Sequence, residues 1–134
     1  MILELHHTGC AVTSIDESVE FYKKIFGADK ISPKILIQSQ DVFVCFVEIA
    51  PSRFLELIEP AGEHSFINKL LKKNIQYYHI GYWAGDDFDK TIEELNALNC
   101  KLINIFHSEA FNNRRCAFLY APDSCLIELI EQEK

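Results

Sequence analysis

Short runs rich in apolar residues follow one another along most of this chain. In some runs apolar and polar residues alternate, and in others both alternating positions are apolar, and both patterns are typical of β-strands. The run Val-Phe-Val-Cys-Phe-Val within 42–47 is strongly β-prone. The predicted strands are 3–12, 34–39, 42–49, 53–59, 77–84, 101–106, 115–120 and 125–130.

Two longer segments instead repeat their apolar residues every three or four positions, which is the period of a helix. The first lies between the cap residue Ser14 and Gly27, and the second covers 86–98. A short linking helix is predicted over 65–73. The apolar faces are Val19, Tyr22 and Phe26 in the first helix, and Ile92, Leu95 and Leu98 in the second.

Two stretches of the chain recur at one fixed offset. The tripeptide that starts at His7 recurs at His79, and the pentapeptide centred on Leu57 recurs around Leu129, in both cases 72 positions later. A shared offset indicates a duplicated module of about half the chain. Each half then has the order β-α-β-β-β, with module one at 1–60, a linker at 61–74 and module two at 75–134, within a single domain.

The repeated segments each contribute one histidine and one glutamate. Glu56 and Glu128 lie in strands that are otherwise apolar on both faces, so both carboxylates are expected to be buried. A buried carboxylate is costly unless a cation compensates it. With His7 and His79 they provide two nitrogens and two oxygens, a set that suits Zn, Co, Ni, Mn or Fe. The alternative is that these are exposed strand glutamates and ordinary histidines, and the offset shared by all four favours the metal site.

Other residues are candidates for acid–base chemistry and substrate contact. Glu48 ends a predicted strand, where it would act as a general base or simply be solvated, and Tyr120, 72 positions later, could donate a hydrogen bond to an oxyanion. Arg115 could meet an anionic substrate tail, or lie in a solvated turn. His6 is interpreted as structural, and His107 is expected in a loop.

Composition narrows the class of protein. The net charge is −7 and the pI about 5.2, without the basic stripe that nucleic-acid binding requires. The five cysteines form no CxxC pair, which favours a reducing, cytoplasmic location. The first residues are predicted to form a strand rather than a signal peptide, and no apolar run is long enough to predict a membrane span.

The motifs resemble the vicinal oxygen chelate superfamily, which includes glyoxalase I, bleomycin-resistance proteins and extradiol dioxygenases. The resemblance covers nearly the whole chain and rests on the two His-x-Gly strands, on FYKKIFG, on ELIEP and on the closing PDSCLIELIE. Within the superfamily the pattern is most similar to the methylmalonyl-CoA epimerases. It implies an α+β fold in which two tandem βαβββ modules form a curved, mostly antiparallel sheet around a metal-binding cavity.

The resemblance also implies a site and a reaction. One divalent ion (Co, Mn, Ni or Zn) would be bound by His7, Glu56, His79 and Glu128, with Glu48 and Glu128 as acid–base residues in an isomerase that stabilises an enolate. The expected substrate is a small molecule, an acyl thioester or a hemithioacetal, and we expect a homodimer. The alternatives are a lyase like glyoxalase I and a non-catalytic binding or resistance protein. Segments 108–115 and 120–124 depart from the epimerase pattern where substrate would be held.

Overall fold

The computed structural model describes residues 1–132, so the last two residues of predicted module two, 133 and 134, lie outside the described residues. The chain divides into two compact units. The N-unit comprises residues 7–78, and the C-unit comprises 1–6 with the described residues from 79 onward. In the described part of the chain no helix has both the length and the apolar character needed to cross a membrane.

The N-unit contains a four-stranded arrangement in the order β2-β3-β4-β1. The strands β2–β3 and β3–β4 are antiparallel, whereas β1 and β4 run parallel. The elements are β1 (Glu4–Ala11, whose first three residues belong to the C-unit), α1 (Ile15–Phe26), β2 (Ile35–Ile37), β3 (Val42–Ala50), β4 (Arg53–Pro60) and α2 (Ile67–Lys72).

Local chemistry explains where α1 begins and how it packs. The Ser14 hydroxyl accepts a hydrogen bond from the backbone N–H of Glu17 at 3.2 Å, which satisfies one of the free donors of the first turn. Ile15 and Val19 are buried on the inner face. They join the core residues Cys10, Cys45, Val47, Leu55 and Leu57 of the strands.

The C-unit repeats this plan in the order β5-β8-β7-β6, with β5 and β8 parallel and the other two pairs antiparallel. The Asp87 carboxylate caps α3 by accepting from the backbone N–H of Lys90 at 3.0 Å. The elements are β5 (Tyr77–Trp83, whose first two residues belong to the N-unit), α3 (Phe88–Ala97), β6 (Lys101–Ser108), β7 (Arg114–Tyr120) and β8 (Leu126–Ile130).

Two local expectations are wrong. Leu98 is 60% exposed, because α3 ends at Ala97 and Leu98 is the residue that closes it. Ile92 and Leu95 do pack inward, as predicted, with Phe88 beside them. His107 lies in β6 rather than in a loop, because that strand continues to Ser108.

The strand registers repeat with the predicted offset. Gly9 lies opposite Glu56, and Gly81 lies opposite Glu128. The predicted repeat is therefore confirmed at the level of strand pairing. The bounds of the two compact units do not coincide with those of the predicted modules, so the division into modules 1–60 and 75–134 stays a prediction.

Candidate functional site

The N-unit holds one buried histidine–glutamate pair on the parallel strands β1 and β4. His7 Nε2 lies 3.5 Å from Glu56 Oε1, and the two residues are 1% and 5% exposed. Leu55 to Ile58 are buried at every position, which confirms that both faces of β4 are covered. The carboxylate of Glu56 is therefore held away from bulk water beside an imidazole.

The C-unit holds the equivalent pair on β5 and β8. His79 Nε2 lies 3.6 Å from Glu128 Oε1, and both residues are 4% exposed. The expectation that both glutamates are buried is confirmed, and the reading of them as exposed strand residues is wrong.

The spacing within each pair fits two ligands of one metal ion. Two ligand atoms at about 2.1 Å from a tetrahedral centre are about 3.4 Å apart, close to both measured distances. The same distances are long for a strong hydrogen bond between nitrogen and oxygen. All four residues are buried and each offers one potential ligand atom, so each pair could take part in binding a metal.

An aromatic ring lies against each histidine. The ring of Phe46 is 5.9 Å from that of His7 at an interplanar angle of 77°, and Phe118 is 5.5 Å from His79 at 83°. These are edge-to-face contacts. Neither phenylalanine carries a role predicted from the sequence, although they too are 72 positions apart.

Glu48 lies near the end of β3, opposite Phe54 of β4. Its side chain is 32% exposed, and its Oε1 lies 3.5 Å from the ammonium of Lys30. Sequence reasoning missed Lys30, because a lysine after a helix carries no signal of its own. Glu48 is thus neither fully buried nor free of a partner, and its role as a base stays a prediction.

Tyr120 occupies the matching position of the C-unit, at the end of β7 opposite Leu126. It is 45% exposed. Phe54 and Leu126 are also 72 positions apart, so Glu48 and Tyr120 are equivalent by strand pairing as well as by sequence. The predicted role of Tyr120 in substrate binding stays a prediction.

Arg115 lies within a network of carboxylates. Its guanidinium contacts Glu131 Oε2 at 2.7 Å and Asp89 Oδ1 at 3.0 Å, and it stacks over Phe88 at 4.7 Å from the ring centre. The hydrogen bonds that its guanidinium donates to Glu131, and then those it donates to Asp89, raise the pKa of Arg115 above its usual value. The side chain thus joins β7 to the first turn of α3 and to the residue after β8, and its predicted contact with substrate stays a prediction.

His6 belongs to the C-unit, where it packs edge-on against Trp83 at 4.8 Å and Phe111 at 5.3 Å. It is 8% exposed. These contacts agree with the structural role expected for it.

Comparison with known proteins places the chain in a family. Residues 6–118 match the Glyoxalase/Bleomycin resistance protein/Dioxygenase superfamily. The mitochondrial methylmalonyl-CoA epimerase of Bos taurus is 34% identical over 132 residues, covering 97% of this chain and 73% of that protein. The mitochondrial methylmalonyl-CoA epimerase of Dictyostelium discoideum is 29% identical over 133 residues, covering 96% and 78%.

The fold comparison agrees with the sequence comparison. A methylmalonyl-CoA epimerase solved with methylmalonyl-CoA and ammonium is similar with a TM-score of 0.82 and 24% identity, over 98% of this chain and 96% of that one. The predicted fold class, an α+β sheet built from two βαβββ modules, is confirmed. The chain belongs to the glyoxalase, bleomycin resistance protein and dioxygenase superfamily, as its motifs predicted.

Proposed function

We propose that this protein is a metal-dependent epimerase-like enzyme that moves a proton at the α-carbon of an acyl-CoA thioester. The observation that carries the proposal is the pair of buried His–Glu sets at equivalent strand positions. The two epimerases that align over almost the whole chain support the choice of reaction.

The four buried residues would hold one divalent ion, of cobalt, manganese, nickel or zinc. Their donor set, two imidazole nitrogens and two carboxylates, suits these metals better than a soft-metal ion. When bound, such an ion supplies Lewis-acid stabilisation of the negative charge that develops on substrate oxygens as the α-proton leaves.

The remaining chemistry falls to side chains near the strand ends. Glu48 would remove the α-proton, since its carboxylate is partly exposed and the cation of Lys30 lies 3.5 Å away. Glu128 would return a proton to the other face of the substrate. Tyr120, partly exposed, would donate a hydrogen bond to the developing oxyanion.

A second candidate is a lyase of the glyoxalase I type that acts on a hemithioacetal. The observation that favours it is the conformation of segment 108–115, where the epimerase pattern is absent. There a short 3₁₀ turn at Glu109–Phe111 is followed by left-handed residues at Asn112 and Asn113. A departure from the epimerase sequence pattern where substrate would be gripped is compatible with a different thiol carrier. A non-catalytic binding protein would need no buried ligand set.

The test is deuterium uptake from D₂O into methylmalonyl-CoA, measured by mass spectrometry with enzyme loaded in turn with Co²⁺, Mn²⁺, Ni²⁺ and Zn²⁺. Exchange at the α-carbon with at least one metal is expected. A variant carrying Glu48→Gln should keep the metal and lose about 10²- to 10⁴-fold of the exchange rate, the range of general acid–base catalysis.

Each other outcome has a definite meaning. Absence of exchange with every metal would overturn the epimerase assignment, and turnover of a hemithioacetal under the same conditions would replace it with the lyase. Tight ligand binding without turnover or metal would favour the binding protein.

Light scattering on the same sample tests whether the protein is a homodimer. The homodimer and the cytoplasmic location both stay predictions.

A further inference from the structure

Two phenylalanines occupy the same place beside the two His–Glu pairs. Phe46 of β3 lies directly opposite Glu56 of β4 in the sheet, and its ring makes an edge-to-face contact with the imidazole of His7. Phe118 of β7 is the ladder partner of Glu128, and its ring meets that of His79 in the same manner. Each ring therefore borders both members of one pair.

We propose that Phe46 and Phe118 are positioning residues that fix the orientation of the two imidazoles for metal binding. This inference rests on the proposed metal site. Imidazole ligands are usually oriented by a neighbouring group, and an edge-to-face contact favours one relative orientation of the two rings. The same contact occurs in both units, between residues that are 72 positions apart in sequence. A contact that arose by chance in one unit would not be expected at the equivalent position of the other.

Burial adds a second contribution. Phe46 is 8% exposed and Phe118 is half-buried, so each pair has apolar ring surface beside its carboxylate. An apolar ring beside the carboxylate keeps the local dielectric low, which strengthens the attraction between the carboxylate and a cation. The phenylalanines thus act through the ligands, without donating an atom to the metal themselves.

The test is Co²⁺ binding to the full chain, followed by chelator competition and by the visible absorption of bound Co²⁺. The variants Phe46→Leu and Phe118→Leu should each weaken binding about 2- to 10-fold, the equivalent of one aromatic contact, and change the absorption spectrum. Phe46→Met and Phe118→Met retain volume without a ring and should behave alike. The matched control is Phe43→Leu, also on β3, whose ring lies under Lys34.

The outcomes separate this inference from the proposed function. Wild-type affinity and spectrum in the Leu and Met variants, with a wild-type protein that binds about one Co²⁺, would overturn the positioning role and leave the metal site standing. An equal loss in Phe43→Leu would also overturn it, because the effect would then be general packing. A wild-type protein that binds no Co²⁺ would overturn both proposals.

Discussion

The N-unit and the C-unit build the same pair in different surroundings. Their inner strands agree in register, in the burial of the His–Glu pair and in the phenylalanine beside it. The residues at the strand ends differ, because the N-unit has Glu48 paired with Lys30 where the C-unit has Tyr120. A duplicated fold can thus keep its buried His–Glu pairs while the residues near the strand ends diverge.

A second contrast concerns the cation that joins helix and strand. In the N-unit Lys34 lies 3.2 Å from Glu59 and 3.9 Å from Asp16, above the ring of Phe43. In the C-unit Arg115 contacts Glu131 and Asp89. The glutamates are 72 positions apart, but the cations are not equivalent, because Lys34 precedes β2 whereas Arg115 lies in β7. Both units therefore form an ionic link at the equivalent glutamate, but the cation comes from a non-equivalent position of the sequence.

The largest expected effect follows from breaking either pair. Glu56→Ala and Glu128→Ala should each weaken metal binding by at least about 100-fold, since each removes a ligand rather than a neighbour of one. Metal content after dialysis, by mass spectrometry, measures this. Glu59→Ala, on the same strand as Glu56, is the control. If one of the two variants retained about one metal ion and the other lost it, the two pairs would not be equivalent.

The next effect tests the divergence at the strand ends. Glu48→Gln should lower the exchange rate far more than Tyr120→Phe, for which we expect about a 10-fold loss, because a partly exposed donor to an oxyanion contributes less than a base. Deuterium exchange at saturating metal measures both. Similar losses in the two variants would mean that Tyr120 contributes as much to catalysis as Glu48 and would contradict this ranking.

The ends of the two helices should differ in their tolerance of a side chain. Gly27 has φ 101° and ψ 146°, and a Cβ there would lie 2.8 Å from Asp29 Oδ1. Gly27→Ala should therefore lower the free energy of unfolding by about 1–2 kcal/mol. Its counterpart Asn99, at φ 67°, already tolerates the left-handed region, so Asn99→Gly should change stability by less than about 0.5 kcal/mol. Urea unfolding of both variants distinguishes them, and equal losses would contradict this account.

The smallest effect concerns the two ionic links. Arg115→Met should lower stability by about 1 kcal/mol and Lys34→Met by less than about 0.5 kcal/mol, since the guanidinium makes several bonds to two carboxylates and both groups are partly solvated. Thermal unfolding measures this, with Lys23→Met as the surface control. A higher KM in Arg115→Met without lower stability would instead support the predicted contact with substrate.

The pH dependence of that contribution has a definite sign. The pKa of Arg115 is raised in the folded state, so the stabilisation is present below the unfolded pKa and lost only as pH rises through the higher folded value. Both the unfolded and the folded pKa of this arginine lie far above neutral pH, so the stability difference between Arg115→Met and wild type should stay constant from about pH 6 to about pH 9.

Sequence reasoning succeeded where the duplication left a direct record. The repeated His and Glu could be found from their shared offset, and the two glutamates could be predicted as buried because their strands are apolar on both faces. Phe46 and Phe118 could not be distinguished from ordinary strand residues, since an aromatic side chain in a sheet is common in any core. Lys30 and the link through Arg115 depend on where separate elements meet, and His107 was misplaced because β6 extends beyond its apolar stretch.

The hairpins β2–β3 and β6–β7 limit how the two halves could be exchanged in a chimeric protein. Leu36 of β2 pairs with Phe43 of β3, and His107 of β6 pairs with Arg115 of β7. The equivalent residues of β3 and β7 are therefore 72 positions apart, whereas the equivalent residues of β2 and β6 are 71 positions apart. A shift of one residue turns every side chain of a strand to the other face. An ungapped graft of one strand would therefore invert it, whereas exchanging 35–44 for 106–116 as a whole would preserve the inward positions of Ile37 and Ser108.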